Sequence, residues 1–239
     1  MNTQDDHPGV SLRLQSLSVS RMTQATPRRP CHAGYASEMR WPATERFVLR
    51  AAPGGVGLIQ DFLMTGDSEG RLREPDLLAT LDDARQWLAV ASATWSAVTG
   101  LSAQEFDLDD KDLAPLRKVR DALFAEVSNR SHGMPVDLSS LASHAASANI
   151  DVAKDGTVSL LARGRGWRKV LSWLLLEVYR SQQDNTWQRL KACKNTKCRG
   201  VFYDLSKNNS GAWHDVRTCG NVANLRASRA RKRLQTHEI

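Results

Sequence analysis

Apolar side chains recur at helical spacing along the middle of the chain, most densely in residues 167–179. One stripe of this segment consists of Trp167, Val170, Leu171, Leu174 and Val178. Further apolar residues widen the stripe until little polar surface remains, and a helix that is apolar on most sides is a buried helix. The pattern predicts that this segment is the central helix of the core. Its aromatic residues are expected to pack in the interior in preference to lining a ligand pocket.

Shorter helices are predicted wherever the same spacing continues between turn residues. The predicted segments are 56–64, 78–88, 91–98, 113–128 and 138–148. Asp76 can cap the second of them, because a carboxylate accepts hydrogen bonds from the free backbone N–H groups at a helix start. Residues 187–190 are predicted to continue the central helix or to form a short successor to it.

Strand signals are few and short. Residues 149–152 and 157–161 flank an Asp-Gly pair, which is a strong hairpin signal. Residues 45–50 and 201–203 also have the composition of short strands. The fold class predicted from these patterns is mainly α with small β-hairpins, an α+β chain.

Three regions of the chain differ in composition. Residues 1–45 are polar and show no sustained period, so they are predicted to be a disordered extension, with Cys31 as an unpaired thiol. Residues 46–186 are predicted to form a mostly helical domain and residues 187–239 a small C-terminal module. Because no flexible linker separates these two parts, a conformational change in one can reach the other.

An acidic run at residues 107–112 admits two interpretations. An EF-hand calcium loop needs alternating oxygen ligands, a central glycine and a terminal glutamate. Asp107 and Asp109 begin such an alternation, but Lys111 and Asp112 occupy the positions of the third ligand and the glycine. The run is therefore predicted to be an acidic loop that starts the next helix, where carboxylates suit the positive end of the helix dipole.

Four side chains able to bind a metal lie within 27 residues, namely Cys193, Cys198, His214 and Cys219. Their spacing is C-x4-C, a loop of fifteen residues, then H-x4-C. Two pairs separated by a loop are the usual layout of a closed tetrahedral zinc site. Burial in an ordinary core is the alternative, and it is disfavoured because the surrounding sequence is short and polar.

A small hairpin is predicted to bring both pairs of ligands to one ion. It is built from the strand at 201–203, a turn at 206–211 and a return of the apolar pattern at Trp213. Cys219 is predicted to open a helix rich in alanine, leucine and arginine. Four good ligands leave no position open to water, which predicts a structural ion and not a hydrolytic one.

The positive charge of the chain is concentrated in the same region. From Lys191 onward there are eleven Lys and Arg and three acidic residues, a net charge of +8, and because the whole chain carries +7 the preceding 190 residues carry −1. A localised basic excess indicates a polyanion partner, usually nucleic acid, because each neutralised phosphate releases counterions. The alternative is a solvated basic tail, and the association of the charge with a zinc module and a helix favours nucleic acid.

The C-terminal region resembles the CGNR zinc finger. The resemblance rests on Cys193, Cys198, the Phe-Tyr-Asp step at 202–204, Trp213 and the Cys-Gly-Asn triplet at 219–221. Such fingers close bacterial proteins whose amino-terminal part is the ABATE domain, and Ala52-Pro53-Gly54 with the following segment looks like the start of that domain.

The resemblance implies a helical N-terminal domain, a small treble-clef-like zinc finger and membership of a family regarded as stress-induced transcription regulators. Two positions depart from the pattern. His214 stands where many members have cysteine, which changes the ligand type but not the ability to bind zinc. Val222 replaces the arginine that gives the motif its last letter, so that arginine's contacts are missing here.

The helix after Cys219 carries the predicted DNA contacts. Val222, Arg226, Arg229 and Arg233 lie along one side of it at 3.6 residues per turn. The predicted nucleic-acid-binding residues are Asn221, Asn224, Arg226, Arg229, Arg231, Lys232 and Arg233. The leading hypothesis is a DNA-binding transcription regulator whose N-terminal domain senses a small-molecule or protein effector, or mediates assembly. The alternative is a structural zinc module whose basic helix binds an acidic protein or RNA.

Other classes of protein are disfavoured by the sequence. No apolar run is long enough to cross a bilayer, and the first residues lack the layout of a secretory signal, so a cytoplasmic protein is expected. A nucleophile elbow, a phosphate loop and a dinucleotide fingerprint are all missing, and only His214 among six histidines belongs to a constellation. The chain is therefore not expected to be an enzyme.

Overall fold

The computed structural model describes residues 40–67, 74–135, 146–195 and 197–236, with the backbone alone at 227 and 230–236. Helices make up most of the regular structure in these residues. The α-helices in these residues are α1 (Pro42–Arg46), α2 (Val56–Leu63), α3 (Leu81–Thr99), α4 (Asp110–Ser131), α5 (Gly166–Gln183) and α6 (Asn221–Thr236). A 3-10 turn at Trp187–Arg189 and a π-helical turn at Val216–Gly220 add two short helical elements. No helix in these ranges is both long enough and apolar enough to cross a bilayer.

Two antiparallel hairpins accompany the helices, which confirms the predicted fold class. Strand β1 (Ser147–Val152) pairs with β2 (Val158–Arg163). Strand β3 (Leu190–Ala192) pairs with β4 (Val201–Tyr203). The predicted Asp-Gly turn closes the first hairpin, where Gly156 adopts a φ of +83°, a conformation that costs glycine little.

Helix α5 lies in the core, as its apolar stripe predicts. Its most deeply buried apolar residues are Val170, Leu171, Trp173 and Leu174. The Trp173 ring meets that of Trp95 in α3 edge-on, with 5.4 Å between the ring centroids. Trp167, at the start of the stripe, is only partly buried. The helix is therefore surrounded over most of its length and not over all of it.

Asp109 and Asp112 begin α4 in the way that the acidic run predicts. An Asp109 oxygen accepts from the backbone N–H of Lys111 at 2.8 Å, and an Asp112 oxygen accepts from that of Asp109 at 2.9 Å, which is a capping box. The other Asp112 oxygen accepts from the backbone N–H of Trp167 at 3.0 Å. One carboxylate thus caps two helices, and a side chain at Gly166, whose φ is +54°, would overlap it.

The strand predicted at residues 45–50 is wrong, because this stretch begins in helix α1. Pro42 occupies the first helical turn, where its fixed φ suits the helix, and Glu45 lies near the positive end of the dipole. Residues 47–50 are irregular, and Val48 has a φ of +54°, which is strained for a β-branched residue.

The helices predicted at 78–88 and 91–98 are one helix, α3, because no proline or glycine interrupts the sequence between them. Thr80 caps it by accepting from the backbone N–H of Asp83 at 3.2 Å. The predicted cap Asp76 instead accepts from Leu78 N–H at 2.8 Å, within the turn that precedes α3. Both Asp76 oxygens also pair with the Arg120 guanidinium, at 2.7 and 2.8 Å.

Several predictions fall wholly or partly outside the described residues. The predicted N-terminal extension, with Cys31, lies outside them up to residue 39, and its last residues enter α1. The helix predicted at 138–148 lies mostly outside them, and its last two positions belong to β1. The helical continuation predicted at 187–190 is a single 3-10 turn, after which Leu190 begins β3.

The second hairpin is hydrogen-bonded directly to the helices, and this contact positions the metal ligands. The buried Gln60 side chain in α2 accepts from Ala52 N–H at 2.6 Å and donates to the carbonyls of Arg50 and Val201 at 3.0 and 2.9 Å. The Ser131 hydroxyl of α4 accepts from Ala192 N–H at 2.9 Å. The described residues accordingly belong to one compact unit.

Candidate metal centre

The turn between β3 and β4 presents Cys193 and Cys198. Cys193 N–H donates to the Gly200 carbonyl at 2.9 Å, and Cys198 N–H donates to the Asn195 carbonyl at 2.7 Å. Gly200 N–H donates to the Cys198 sulfur at 3.3 Å. A Cβ at Gly200 would lie only 3.2 Å from that sulfur, so the turn needs glycine there to hold both cysteines inward.

The turn before α6 presents His214 and Cys219. Asp215 starts it by accepting from Arg217 N–H at 2.7 Å, and its carbonyl accepts from Cys219 N–H at 3.0 Å. A Cβ at Gly220 would lie 3.2 Å from the Trp213 ring. Cys219 therefore lies just before α6, as the sequence predicts, but within a π-helical turn.

The predicted hairpin has a different strand partner in the structure. Strand β4 pairs with β3, which precedes the first cysteine, and not with the segment around Trp213. Strand β3 is only three residues long, Leu-Lys-Ala, and this is too short for its alternating burial to stand out as a strand in the sequence. The structure thus brings three features to one point: the turn that carries Cys193 and Cys198, called the cysteine turn, the β3–β4 hairpin and the start of α6. This arrangement agrees with the expected treble-clef-like finger.

The four predicted ligands meet at one point. One ligand atom from each of Cys193, Cys198, His214 and Cys219 lies within 4.8 Å of the other three. The Cys198 sulfur is 3.5 Å from His214 Nδ1. A tetrahedral zinc ion with bonds of about 2.3 Å to sulfur and about 2.0 Å to nitrogen separates its ligand atoms by roughly 3.5–3.8 Å. The donor set and its spacing therefore fit zinc.

The electrostatics of the cysteines also suit a metal. A hydrogen bond from the Cys198 thiol lowers the pKa of Cys193 to about 3, although burial opposes the shift. The same hydrogen bond, together with burial, raises the pKa of Cys198. The two sulfurs therefore lie close enough to share a hydrogen bond, and both serve as thiolates when they bind a metal ion.

A buried ion pair supports the centre from the side of β4. Lys191 Nζ is 2.7 Å from an Asp204 oxygen. The Asp204 carboxylate also accepts from Ser206 N–H at 2.8 Å and from Gly211 N–H at 2.6 Å. Burial would raise the pKa of Asp204, but these hydrogen bonds outweigh it and hold the pKa below its usual range. The network fixes the loop that carries the chain to His214, and only the Phe-Tyr-Asp step hinted at it in sequence.

The predicted nucleic-acid-binding residues lie on α6, directly after the π-helical turn Val216–Gly220. The side chains of Asn221, Asn224, Arg226 and Arg229 are exposed. Arg231, Lys232 and Arg233 continue the helical backbone, and their side chains are outside the described part of the structure. Lys194 and Lys197 are also exposed, on the turn between β3 and β4, and no local motif marks them in the sequence.

Arg199 connects the turn between β3 and β4 to helix α4. Its guanidinium lies 4.7 Å from the centroid of the Phe124 ring and 3.9 Å from an Asp121 oxygen. Both Arg199 and Asp121 are more than half exposed, so the ion pair adds little, and the ring contact is the more specific one.

Two family models match the sequence. The CGNR zinc finger model matches residues 189–232, which contain all four ligands. The ABATE model, described as "Putative stress-induced transcription regulator", matches residues 57–180, more than half of the 239-residue chain. A search of curated proteins gives no match. The finger match and the ligand geometry together identify the metal as zinc.

Proposed function

We propose that this protein, which belongs to the ABATE family and carries a CGNR zinc finger, binds DNA through helix α6 and regulates transcription. The observation that carries the proposal is the net charge of +8 from Lys191 onward, against −1 for the rest of the chain. Charge of this kind on a compact module attracts nucleic acid through counterion release. The proposed site of action is the cytoplasm, where thiols remain reduced and available to metal.

Zinc acts structurally in this proposal. Two ligands come from the turn between β3 and β4, and two lie just before α6, so a bound ion fixes the start of α6 relative to the hairpin. With four protein ligands the ion has no open position for substrate. Its contribution is folding free energy, since small zinc modules depend on the metal for their structure.

Helix α6 supplies the proposed contacts to DNA. Arg226 and Arg229 are exposed on it, and Arg231, Lys232 and Arg233 follow in the same helix. Arginine contacts to phosphate give affinity without sequence preference, whereas arginine contacts to guanine edges give discrimination. The amides of Asn221 and Asn224 are exposed nearer the start of the same helix and can pair with adenine.

Selection of bound sequences from a random duplex pool, by the full chain with and without a zinc chelator, tests the proposal. We expect enrichment of a shared motif only when zinc is present. Arg229→Ala should weaken binding, whereas Lys154→Ala should not, because Lys154 is an exposed cation in the distant turn between β1 and β2. Recovery of the unselected pool by the zinc-loaded protein would count against sequence-specific recognition.

An alternative function is favoured by one feature of α6. Val222 and Leu225 are 40% and 52% exposed, and at a spacing of three residues they lie on neighbouring positions of the helix surface. An exposed apolar pair beside arginines suits an acidic protein partner. RNA is the other partner that suits the basic helix. A partner protein that stays bound after nuclease treatment, together with no duplex enrichment, would support this alternative.

The proposal includes a sensing role for the rest of the chain, in keeping with the stress-induced description of the ABATE family. A cleft of about 560 Å³ lies between residues 47–50 and the zinc finger, a volume in the range of small-molecule sites. Aromatic rings of Phe47, Tyr203 and Trp213 line it, and so does Arg50, whose guanidinium has no hydrogen-bond or ion-pair partner in the described residues.

The aromatic rings and the Arg50 guanidinium suit an aromatic carboxylate as the effector, bound at the side of the cleft away from the carboxylates of Asp204 and Asp215, which also line it. A panel of benzoate and indole carboxylates can be screened for changes in duplex affinity, with Arg50→Met as the control variant. We expect at least one compound to change the affinity of the wild-type protein and not that of the variant. Equal responses in both proteins would remove this cleft from the account.

A further inference from the structure

The side chain of Asn195 touches both the metal centre and helix α6. This residue lies in the cysteine turn between Cys193 and Cys198. Its Nδ2 is 3.3 Å from the Cys219 sulfur, and its Oδ1 is 3.2 Å from Nη1 of Arg226. The amide NH2 group donates and the carbonyl accepts, so the two contacts agree on one orientation of the amide.

We infer that Asn195 is a positioning residue that holds Arg226 against the zinc centre, so that the cysteine turn and α6 present their cations as one surface. The amide lies between a sulfur that becomes anionic on metal binding and a cationic guanidinium. Its donor end faces the sulfur and its acceptor end faces the guanidinium, so both contacts are strengthened by the charges. Lys194 and Lys197 are exposed on the same turn as Asn195, the residue that contacts Arg226.

Because Asn195 holds it, Arg226 has a role distinct from that of the other arginines on α6. A long exposed side chain loses rotamer freedom when it binds a phosphate, and a side chain that is already held loses less. Arg229 is the other helix arginine with a described side chain, and it has no contact of this kind in the described residues. The nucleic-acid part of the inference rests on the proposed function, whereas the contact with the metal ligand does not.

The metal contact is tested on the full chain by chelator competition for zinc and by the absorption spectrum of the cobalt-substituted protein. Partners that hydrogen-bond to metal ligands change metal affinity by about tenfold to hundredfold. We expect Asn195→Ala to weaken zinc binding by about tenfold and to shift the thiolate-to-cobalt band, because a sulfur loses its donor. An unchanged affinity and an unchanged spectrum would overturn the assignment of Asn195 to the zinc centre.

The position of Arg226 is tested without DNA by NMR relaxation of its guanidinium. We expect restricted motion in the wild-type protein and free averaging in Asn195→Ala. Asn195→Asp serves as a second variant, since its carboxylate still accepts from Arg226 but cannot donate to sulfur. It should therefore lose zinc affinity and keep Arg226 ordered. A guanidinium that is equally mobile in the wild-type protein and in Asn195→Ala would overturn the inference.

The effect on DNA is tested by a double-mutant cycle of Asn195→Ala and Arg226→Ala at saturating zinc. We expect Arg226→Ala to lower duplex affinity by about tenfold and to reduce the salt slope by about one. Asn195→Ala should lower affinity by about threefold on its own and have no further effect in the Arg226→Ala background, because its role is exerted through Arg226.

Arg217→Ala is the matched control for the cycle. Arg217 is exposed in the same module, and its side chain has no contact with Asn195 in the described residues. Its effect and that of Asn195→Ala should multiply. Multiplication for the Arg226 pair as well would overturn the inference. A wild-type protein that binds no duplex would contradict the proposed function alone, because the zinc and NMR measurements still decide the role of Asn195.

Discussion

The helical body, meaning the described residues between 40 and 186, and the zinc finger, residues 189–232, are stabilised in different ways. The body encloses large apolar side chains that have almost no exposed surface, such as Phe62, Trp95 and Trp173. Each such residue contributes roughly 1.5–3 kcal/mol by leaving water. In the finger, the fully buried apolar residues Leu190 and Val201 belong to the same core cluster as the body. Beyond this shared cluster, the finger depends on metal ligands and on the Lys191–Asp204 network.

The two regions differ in how many groups carry their stability. Apolar burial is spread over many side chains, so a single change weakens the body by a fraction of its stability. A four-ligand metal centre concentrates its contribution in one ion. The two regions should therefore respond differently to chelators, to acid and to single substitutions.

Removal of zinc should have the largest effect, and it should be confined to the finger. Structural zinc contributes on the order of 10 kcal/mol to small zinc modules, so Cys198→Ala is expected to unfold the finger and leave the body folded. Amide hydrogen exchange in the full chain checks this prediction. Protection should be lost in residues 193–220 and kept in α3 and α5. Uniform loss in both regions would mean that the body also depends on the ion.

Loss of the Gln60 side chain should destabilise the contact between the two regions. Gln60→Ala leaves Ala52 N–H and the carbonyls of Arg50 and Val201 without their partner, at a cost of about 4 kcal/mol for the buried groups and the cavity together. The loss in the free energy of unfolding is measured by urea denaturation of the zinc-loaded protein. Gln104→Ala is the control, because among the described residues that amide donates only to the Ser102 carbonyl, at an exposed site. Equal effects of the two substitutions would contradict the importance of the Gln60 contact.

Acid should stabilise the body and destabilise the finger. Burial raises the pKa of Asp61 from 3.8 to about 6, so the native state binds a proton that the unfolded state releases between these values. The free energy of unfolding therefore rises as pH falls from above 6 to about 4, by about 3 kcal/mol. Burial also raises the pKa values of Glu126 and Glu177, which act in the same direction. In the finger, protonation of thiolates releases zinc as pH falls.

Denaturation of the zinc-free protein between pH 4 and pH 7 isolates the contribution of the body. The Asp61→Asn variant should lose most of the slope over this range, because it has no carboxyl group to protonate at that position. A wild-type body that becomes less stable between pH 6 and pH 4 would contradict the assignment.

The smallest of these effects is expected from a glycine in α2. Alanine is favoured over glycine inside helices by about 1 kcal/mol. At Gly57, however, a Cβ would lie 2.6 Å from the Trp41 indole nitrogen and 2.9 Å from the Ala52 carbonyl oxygen. Gly57→Ala should therefore destabilise the body by about 2 kcal/mol. The control, Gly66→Ala, meets Arg120 no closer than 3.5 Å and should change the stability very little. A stabilised Gly57→Ala protein would show that helix propensity outweighs packing here.

The features that the sequence predicts well are those with a local signal. The spacing of Cys193, Cys198, His214 and Cys219 predicts the ligand set, since metal geometry leaves few arrangements of short pairs. The apolar stripe of α5 and the Asp-Gly turn are likewise readable from neighbouring residues.

Features that depend on distant partners could not be read in the same way. Strand β3 has three residues and exists because β4 pairs with it, and Gln60 is defined by contacts that include Val201, 141 positions away. The role inferred for Asn195 requires a sulfur and a guanidinium that lie 24 and 31 positions further along the chain. Composition also favoured a strand at 45–50, where Pro42 and Glu45 favour helix α1 up to Arg46 and the following residues are irregular.

The claim that a zinc-held finger presents a cationic helix to DNA is tested most directly by duplex affinity measured at increasing salt, with and without zinc. We expect the affinity of the zinc-loaded chain to fall by roughly a hundredfold between 50 and 200 mM salt, as expected for about four phosphate contacts. We also expect specific binding to disappear when the ion is removed. An affinity that does not change with salt, or that is the same with and without zinc, would contradict DNA binding by a zinc-held finger.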